Sequence, residues 1–184
     1  MAVSFIGGEP GRSDLPLMVV DLGYSARRPS CGLMHEGLSR PESLMFGECI
    51  SAVRRRIEET GDGILVLEGV LSTYHDDRGN PDIRGSFEKR MGWYYGPGAV
   101  TLAAARQFLG ELQKRTQVEA TIYLVEAFLS FKHRHRSHCE DALTIFRHFR
   151  EAPVQELRPG CVPILPDIHG VPPVRSFVRW VGGE

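Results

Sequence analysis

Three acidic residues stand where apolar strands ordinarily carry none. Asp21 closes the run Leu17-Met-Val-Val-Asp21, Glu68 closes Ile64-Leu-Val-Leu-Glu68, and Glu126 follows Tyr123-Leu-Val. Runs without polar alternation read as strands covered on both faces. A carboxylate buried alone in such a place costs several kcal/mol, so three in equivalent positions need a common reason. The carboxyl ends of strands in open parallel sheets are where ligands bind. Clustered carboxylates repel one another unless a cation lies between them, and all-oxygen ligation suits Mg²⁺ or Mn²⁺. Taken singly, each acid is equally well read as capping a turn or pairing with an arginine.

A fourth acid lies in Ser137-His-Cys-Glu-Asp-Ala-Leu-Thr-Ile-Phe-Arg-His-Phe149. Ala142, Ile145, Phe146 and Phe149 make the apolar stripe of a helix, and positions 138 and 141 extend it by one turn. His138 and Asp141 should therefore face the sheet. Glu140 completes a Ser-x-x-Glu capping box with Ser137, which accounts for it without chemistry.

Two segments offer cations for a polyanion. Phe131-Lys-His-Arg-His-Arg-Ser-His138 places Lys132, Arg134 and Arg136 just before that helix, whose N-terminus adds partial positive charge. Its rival readings are a solvated basic loop and a zinc site from His133, His135 and His138, whose spacing fits no standard zinc pattern. The second segment, after Glu68, carries Arg78, Arg84, Lys89 and Arg90 with Trp93, Tyr94 and Tyr95. Cations on phosphate and rings on bases suit a nucleic-acid strand. Four acids (Asp76, Asp77, Asp82, Glu88) oppose those charges, and the aromatic trio serves equally to anchor the loop on the core. Arg84 and Arg90 are the preferred backbone contacts there.

The elements that must position these groups follow from periodicity. Strands are expected at 17–22, 30–36 and weakly within 39–46, then at 64–71 and 118–128. Helices are expected at about 46–60, 99–115 and 137–149, the first from Phe46, Cys49, Ile50, Val53 and Ile57 at three- and four-residue spacing. The order predicts an α/β domain over 17–150 with a mixed five-stranded sheet, its first three strands antiparallel and its later ones parallel. Residues 1–16 read as a flexible arm. The polar stretch 72–98 is too long for an ordinary loop and reads as an insert or lid. Six of the twelve prolines fall between 153 and 173, which makes 151–184 an irregular extension. Its end, 174–181, has the pattern of a short docking strand. The extension would serve as a homodimer arm or wrap its own domain.

The arrangement resembles the ribonuclease H-like nuclease superfamily. An aspartate on the opening strand (VVDLG), a glutamate ending a later central strand (VLEGVLS), VEAF, and a final helix with HxxDA follow one another in that order. Ser-His-Cys-Glu-Asp-Ala-Leu is similar to the last-helix motif of RuvC-type Holliday-junction resolvases. The whole series is closer to an uncharacterised family of predicted ribonuclease H-like nucleases. The resemblance covers about 17–150. It implies a ribonuclease H-like fold and Asp21, Glu68 and Asp141 as ligands of two Mg²⁺ or Mn²⁺ ions. It also implies Glu126 as an accessory ligand or as a group that supports the ligands from behind, His138 as the group that orients or activates water, and hydrolysis of nucleic-acid phosphodiesters, DNA or RNA. The second motif departs from the family, which usually reads Ile-Asp there with a proline soon after.

Composition bounds these readings. With 184 residues, 42% hydrophobic and 24% charged, the chain is of single-domain size and globular. No apolar run approaches the roughly 18 residues of a membrane span. The beginning MAVSFIGGEPGRSD lacks a signal-peptide pattern. Four scattered cysteines without a CxxC suit a reducing cytoplasm. Twenty-two basic against 23 acidic residues exclude a general basic coat, so contact with a polyanion must be local. Two bound divalent ions would carry the formal charge from −1 to about +3. The alternatives are a non-catalytic binding module of the same fold and a hydrolase of small phosphoesters. An actin-like ATP-binding domain can also open with Asp-x-Gly-x-Ser, as Asp21 to Ser25 does, but requires two lobes.

Overall fold

The computed structural model describes residues 3–7, 14–69, 90, 92, 96–130, 136–151 and 175–180. Seven strands form one mixed sheet: β1 (Val3–Gly7), β2 (Leu17–Asp21), β3 (Cys31–His35), β4 (Glu42–Leu44), β5 (Gly63–Glu68), β6 (Ala120–Ser130) and β7 (Arg175–Trp180). The described helices are α1 (Phe46–Thr60), α2 (Pro97–Arg115) and α3 (His138–Glu151). The spatial order is β1-β6-β5-β2-β3-β4, with β7 also on β6. β2, β3 and β4 form an antiparallel meander, and every other pairing is parallel. The α/β class and the division into antiparallel and parallel halves match the sequence expectation. The five-strand count does not.

Both additional strands lie on β6. Residues 3–7 are no loose arm: β1 runs parallel to β6 in the register Val3↔Ala120 to Gly7↔Leu124. Val3 and Phe5 are buried while Ser4 and Ile6 are exposed, the alternation of a strand with one covered face. β7 pairs with the second half of β6, from Val125↔Arg175 to Ser130↔Trp180. β5 occupies the other edge of β6 across 122–127, so β1 and β7 follow one another along the same side. The docking strand expected near 174–181 is thus present.

Strand parity divides the core into two layers. Met18, Val20, Leu65, Leu67, Ile122 and Leu124 meet Cys49, Ile50, Val53 and Ile57 of α1 and Ala105, Phe108, Leu109 and Leu112 of α2. On the opposite face, Leu17, Val19, Ile64, Val66, Val125 and Ala127 meet Ala142 and Ile145 of α3. Helix ends are set locally. Gly61, at φ 74°, terminates α1 and donates its N–H to the Ile57 carbonyl at 2.8 Å. Pro97 opens α2, where its missing N–H costs nothing. Among the described residues no helix is long and apolar enough to cross a membrane.

Candidate metal centre

The site is built where β2, β5 and α3 meet. β2 and β5 are parallel neighbours in the register Asp21↔Glu68, so the two acids end adjacent strands side by side. Their parity is that of Leu17, Val19, Ile64 and Val66, and both therefore face α3. From α3, Asp141 points back at them from the same helix face as Ala142 and Ile145, and is itself buried. One carboxylate oxygen from each of Asp21, Glu68 and Asp141 lies within 4.8 Å of the other two. All three side chains are buried, with residue exposures of 6%, 8% and 2%.

That donor set fits a hard divalent cation. Oxygens about 2.0–2.1 Å from a common octahedral centre are themselves roughly 3–4 Å apart, a spacing within the limit the three carboxylates satisfy. At 4.8 Å each pair of these charges repels by ~3.5 kcal/mol at an effective dielectric near 20. The protein offsets part of this itself. Arg136 Nε donates to Asp141 Oδ1 at 2.7 Å, while its Nη2 donates to Thr144 Oγ1 at 2.6 Å and to the Glu140 carbonyl at 3.4 Å. His138 Nδ1 sits 2.9 Å from Asp21 Oδ1. Burial alone would lower the His138 pKa, but the hydrogen bond and charge of Asp21, with Glu68 beyond, outweigh it and hold the imidazole above its ordinary value.

The close approach of α3 depends on Gly32. A Cβ at that position would lie 2.1 Å from the His138 carbonyl oxygen and 2.7 Å from the Cys139 nitrogen. β3 thus passes directly beneath the first turn of α3, which brings His138 and Asp141 to the ends of β2 and β5. Gly32 carries no chemical group that would mark it in the sequence as part of a site. The available signal was a glycine inside an apolar strand, which often marks a close backbone approach. Ser137 caps the helix as expected: its Oγ accepts the Glu140 N–H at 3.2 Å, and Glu140 Oε2 accepts the Ser137 N–H at 2.8 Å.

Two sequence-derived assignments change. Glu126 is fully buried but does not join the triad. It pairs in register with Leu67, while Glu68 pairs with Ala127. This one-residue offset turns Glu126 to the α1–α2 face, away from α3. It lies on the opposite face of the sheet from the three grouped acids. Arg136 is turned inward onto Asp141 and Thr144 instead of standing open to a phosphate. Arg90 is exposed. Arg84, Lys132, Arg134, His133, His135 and the aromatic trio Trp93, Tyr94 and Tyr95 lie outside the described residues. Cys31, Cys49 and Cys139 are free thiols.

No family model, no curated protein and no solved structure matches this chain.

Proposed function

We propose that the protein is a metal-dependent nuclease of ribonuclease H-like fold, using Asp21, Glu68 and Asp141 to hold Mg²⁺ or Mn²⁺. The observation that carries the reading is the meeting of three buried carboxylates from three separate elements within 4.8 Å. A sheet end that serves only as core would not gather three acids against their mutual repulsion. Two divalent ions in such a site would supply a hydroxide at neutral pH and neutralise charge on the attacked phosphate.

The chain's own residues do the rest. β2 and β5 fix Asp21 and Glu68 through the sheet register, and α3 delivers Asp141 over Gly32. His138, bound to Asp21 through Nδ1, keeps Nε2 for exchanging a proton with water or a leaving oxygen, and its side chain is 45% exposed. Arg136 orients Asp141 and spreads positive charge beside it. It is thereby a positioning residue in this reading.

The test is cleavage of labelled single-stranded, duplex, branched and RNA–DNA hybrid substrates in Mg²⁺, Mn²⁺ or EDTA, beside Asp21→Asn and Asp141→Asn. The proposal requires cleavage with metal, none in EDTA, and a loss of at least about 100-fold in either variant. Cleavage that survives EDTA or both substitutions refutes it. Absence of cleavage on every substrate points to a non-catalytic binding module.

A further inference from the structure

The turn between β2 and β3 starts directly after Asp21 and leads into Cys31. Its base is pinched shut: a Cβ on Gly23 would lie 1.9 Å from the Ser30 carbonyl oxygen. The Cys31 thiol donates to the Gly23 carbonyl at 3.2 Å, and Ser30 Oγ accepts the Ser25 N–H at 3.0 Å. Ser25 Oγ in turn accepts the Arg27 N–H at 3.2 Å. The turn is therefore braced by its own polar groups. Three of the side chains it carries are nevertheless turned outward: Tyr24 is 55% exposed, and Arg27 and Arg28 are both exposed.

Core packing does not account for this trio. Tyr24 is one of the few large hydrophobic side chains left exposed among the described residues. Its ring is nonetheless held, meeting Phe46 edge to face at a centroid distance of 4.9 Å, while its hydroxyl donates to Gln107 Oε1 at 3.2 Å. Phe46 rests on the buried Phe108 in turn. A large aromatic ring fixed in place while most of its surface meets water resembles a stacking platform more than a packing remnant. Among the described residues no carboxylate forms an ion pair with Arg27 or Arg28. Three residues of extended chain span at most about 10 Å, so the backbone of Tyr24 stands at the same end of the sheet as Asp21. Its ring is held on the α1–α2 side by Phe46 and Gln107, and the Asp21 carboxylate is on the α3 side. A strand crossing that end of the sheet would meet both.

We infer that the β2–β3 turn is a binding site for an unpaired nucleotide beside the scissile phosphate, with Tyr24 stacking on its base and Arg27 and Arg28 gripping the flanking phosphates. This rests on the nuclease reading and narrows it to strands with at least one unstacked base. A base paired inside a duplex presents only its edges to the grooves, whereas a lifted or single-stranded base presents the face that a tyrosine ring can cover. Guanidinium groups match phosphate oxygens in pairs, so two adjacent arginines suit a bending backbone.

The experiment uses the full chain in EDTA, where a labelled oligonucleotide is not cut by metal-assisted hydrolysis, and reads binding by fluorescence anisotropy. The probes are a single strand and a perfect duplex of the same sequence. Tyr24→Ala should weaken single-strand binding by about 5- to 150-fold and duplex binding by less than about twofold. Tyr24→Phe keeps the ring and should bind the single strand within about twofold of the parent. The double variant Arg27→Ala/Arg28→Ala should flatten the log–log salt dependence for the single strand by about 1.4. Mn²⁺ affinity, read separately by electron paramagnetic resonance, should be unchanged in all three and reports an intact carboxylate site. Equal losses on both probes in Tyr24→Ala, an undiminished single-strand affinity, or a parent chain that binds neither probe overturns the inference, whatever the Mn²⁺ result. Loss on the single strand alone in a chain that binds no Mn²⁺ upholds the turn as a nucleotide site and sinks the metal-nuclease reading instead.

Discussion

Replacing Asp21 by asparagine separates a metal centre from a merely structural acid cluster. In chelator, the substitution removes two repulsions, with Glu68 and with Asp141, at separations of no more than 4.8 Å and so each at least ~3.5 kcal/mol at an effective dielectric near 20. It also removes the attraction to His138 at 2.9 Å, ~6 kcal/mol on the same scale when the imidazole is charged. Solvent reaching the half-exposed imidazole screens that attraction further. The opposing effects nearly cancel, leaving a net relief of about 1–3 kcal/mol. For a chain of this length 1 kcal/mol moves Tm by about 2–4 °C, so chelated Asp21→Asn should melt about 2–12 °C higher than the parent. The metal response should differ sharply. At a Mg²⁺ or Mn²⁺ concentration 100 times the dissociation constant, binding stabilises the parent by about 2.7 kcal/mol, or roughly 5–11 °C. Asp21→Asn should lose nearly all of that increment. Differential scanning fluorimetry over a metal titration reads both quantities. An increment that survives in Asp21→Asn refutes the ligand assignment. A fall of more than about 5 °C in chelator shows that the carboxylate is needed for the fold itself.

Other outcomes follow from the same geometry. Gly32→Ala places a methyl group 2.1 Å from the His138 carbonyl; overpacking should cost about 1–3 kcal/mol in urea unfolding, and displacement of α3 should lower Mn²⁺ affinity roughly tenfold or more. Arg136→Gln removes the cation paired with Asp141. The chelated variant should therefore melt lower than the parent, while its gain in Tm on adding Mg²⁺ should be larger. His35 has its pKa lowered by burial and by the charge of Arg56, and its Nδ1 accepts the Gly37 N–H at 3.0 Å. The unfolded chain thus takes up a proton near the ordinary value of 6.5 before the folded one does. The His35 contribution to stability is present above that pH and is lost as pH falls through the folded value. Urea midpoints measured from pH 7.5 to pH 5 should fall more steeply for the parent than for His35→Gln.

The parts of this site that could be read from sequence are those with a local signature. Asp21 and Glu68 interrupt apolar runs, and the stripe through Ala142, Ile145 and Phe146 predicts which way Asp141 turns. Ser137 and Glu140 announce the start of α3 by their spacing. The misread parts depend on partners distant in the chain. Val3 and Phe5 make too short an alternation to mark a strand until β6 is seen beside them, and Val3 pairs with Ala120. Glu126 looks equivalent to Glu68, but the β5–β6 register sets Glu68 opposite Ala127 and turns Glu126 to the other face. Arg136 belongs by composition to a basic segment, and only the approach of α3 to the sheet gives it Asp141 as a partner. Gly32 is similar: its need to lack a side chain comes from a helix that begins more than 100 residues later.

The central claim is that Asp21, Glu68 and Asp141 jointly bind a divalent cation, and crystals soaked in Mn²⁺ test it most directly through anomalous scattering. The account predicts a manganese peak about 2.0–2.3 Å from carboxylate oxygens of all three residues, absent from crystals of Asp141→Asn. A soaked crystal with no peak between β2, β5 and α3 would contradict it, as would a peak bound elsewhere while Asp141 stays on Arg136 and Asp21 on His138.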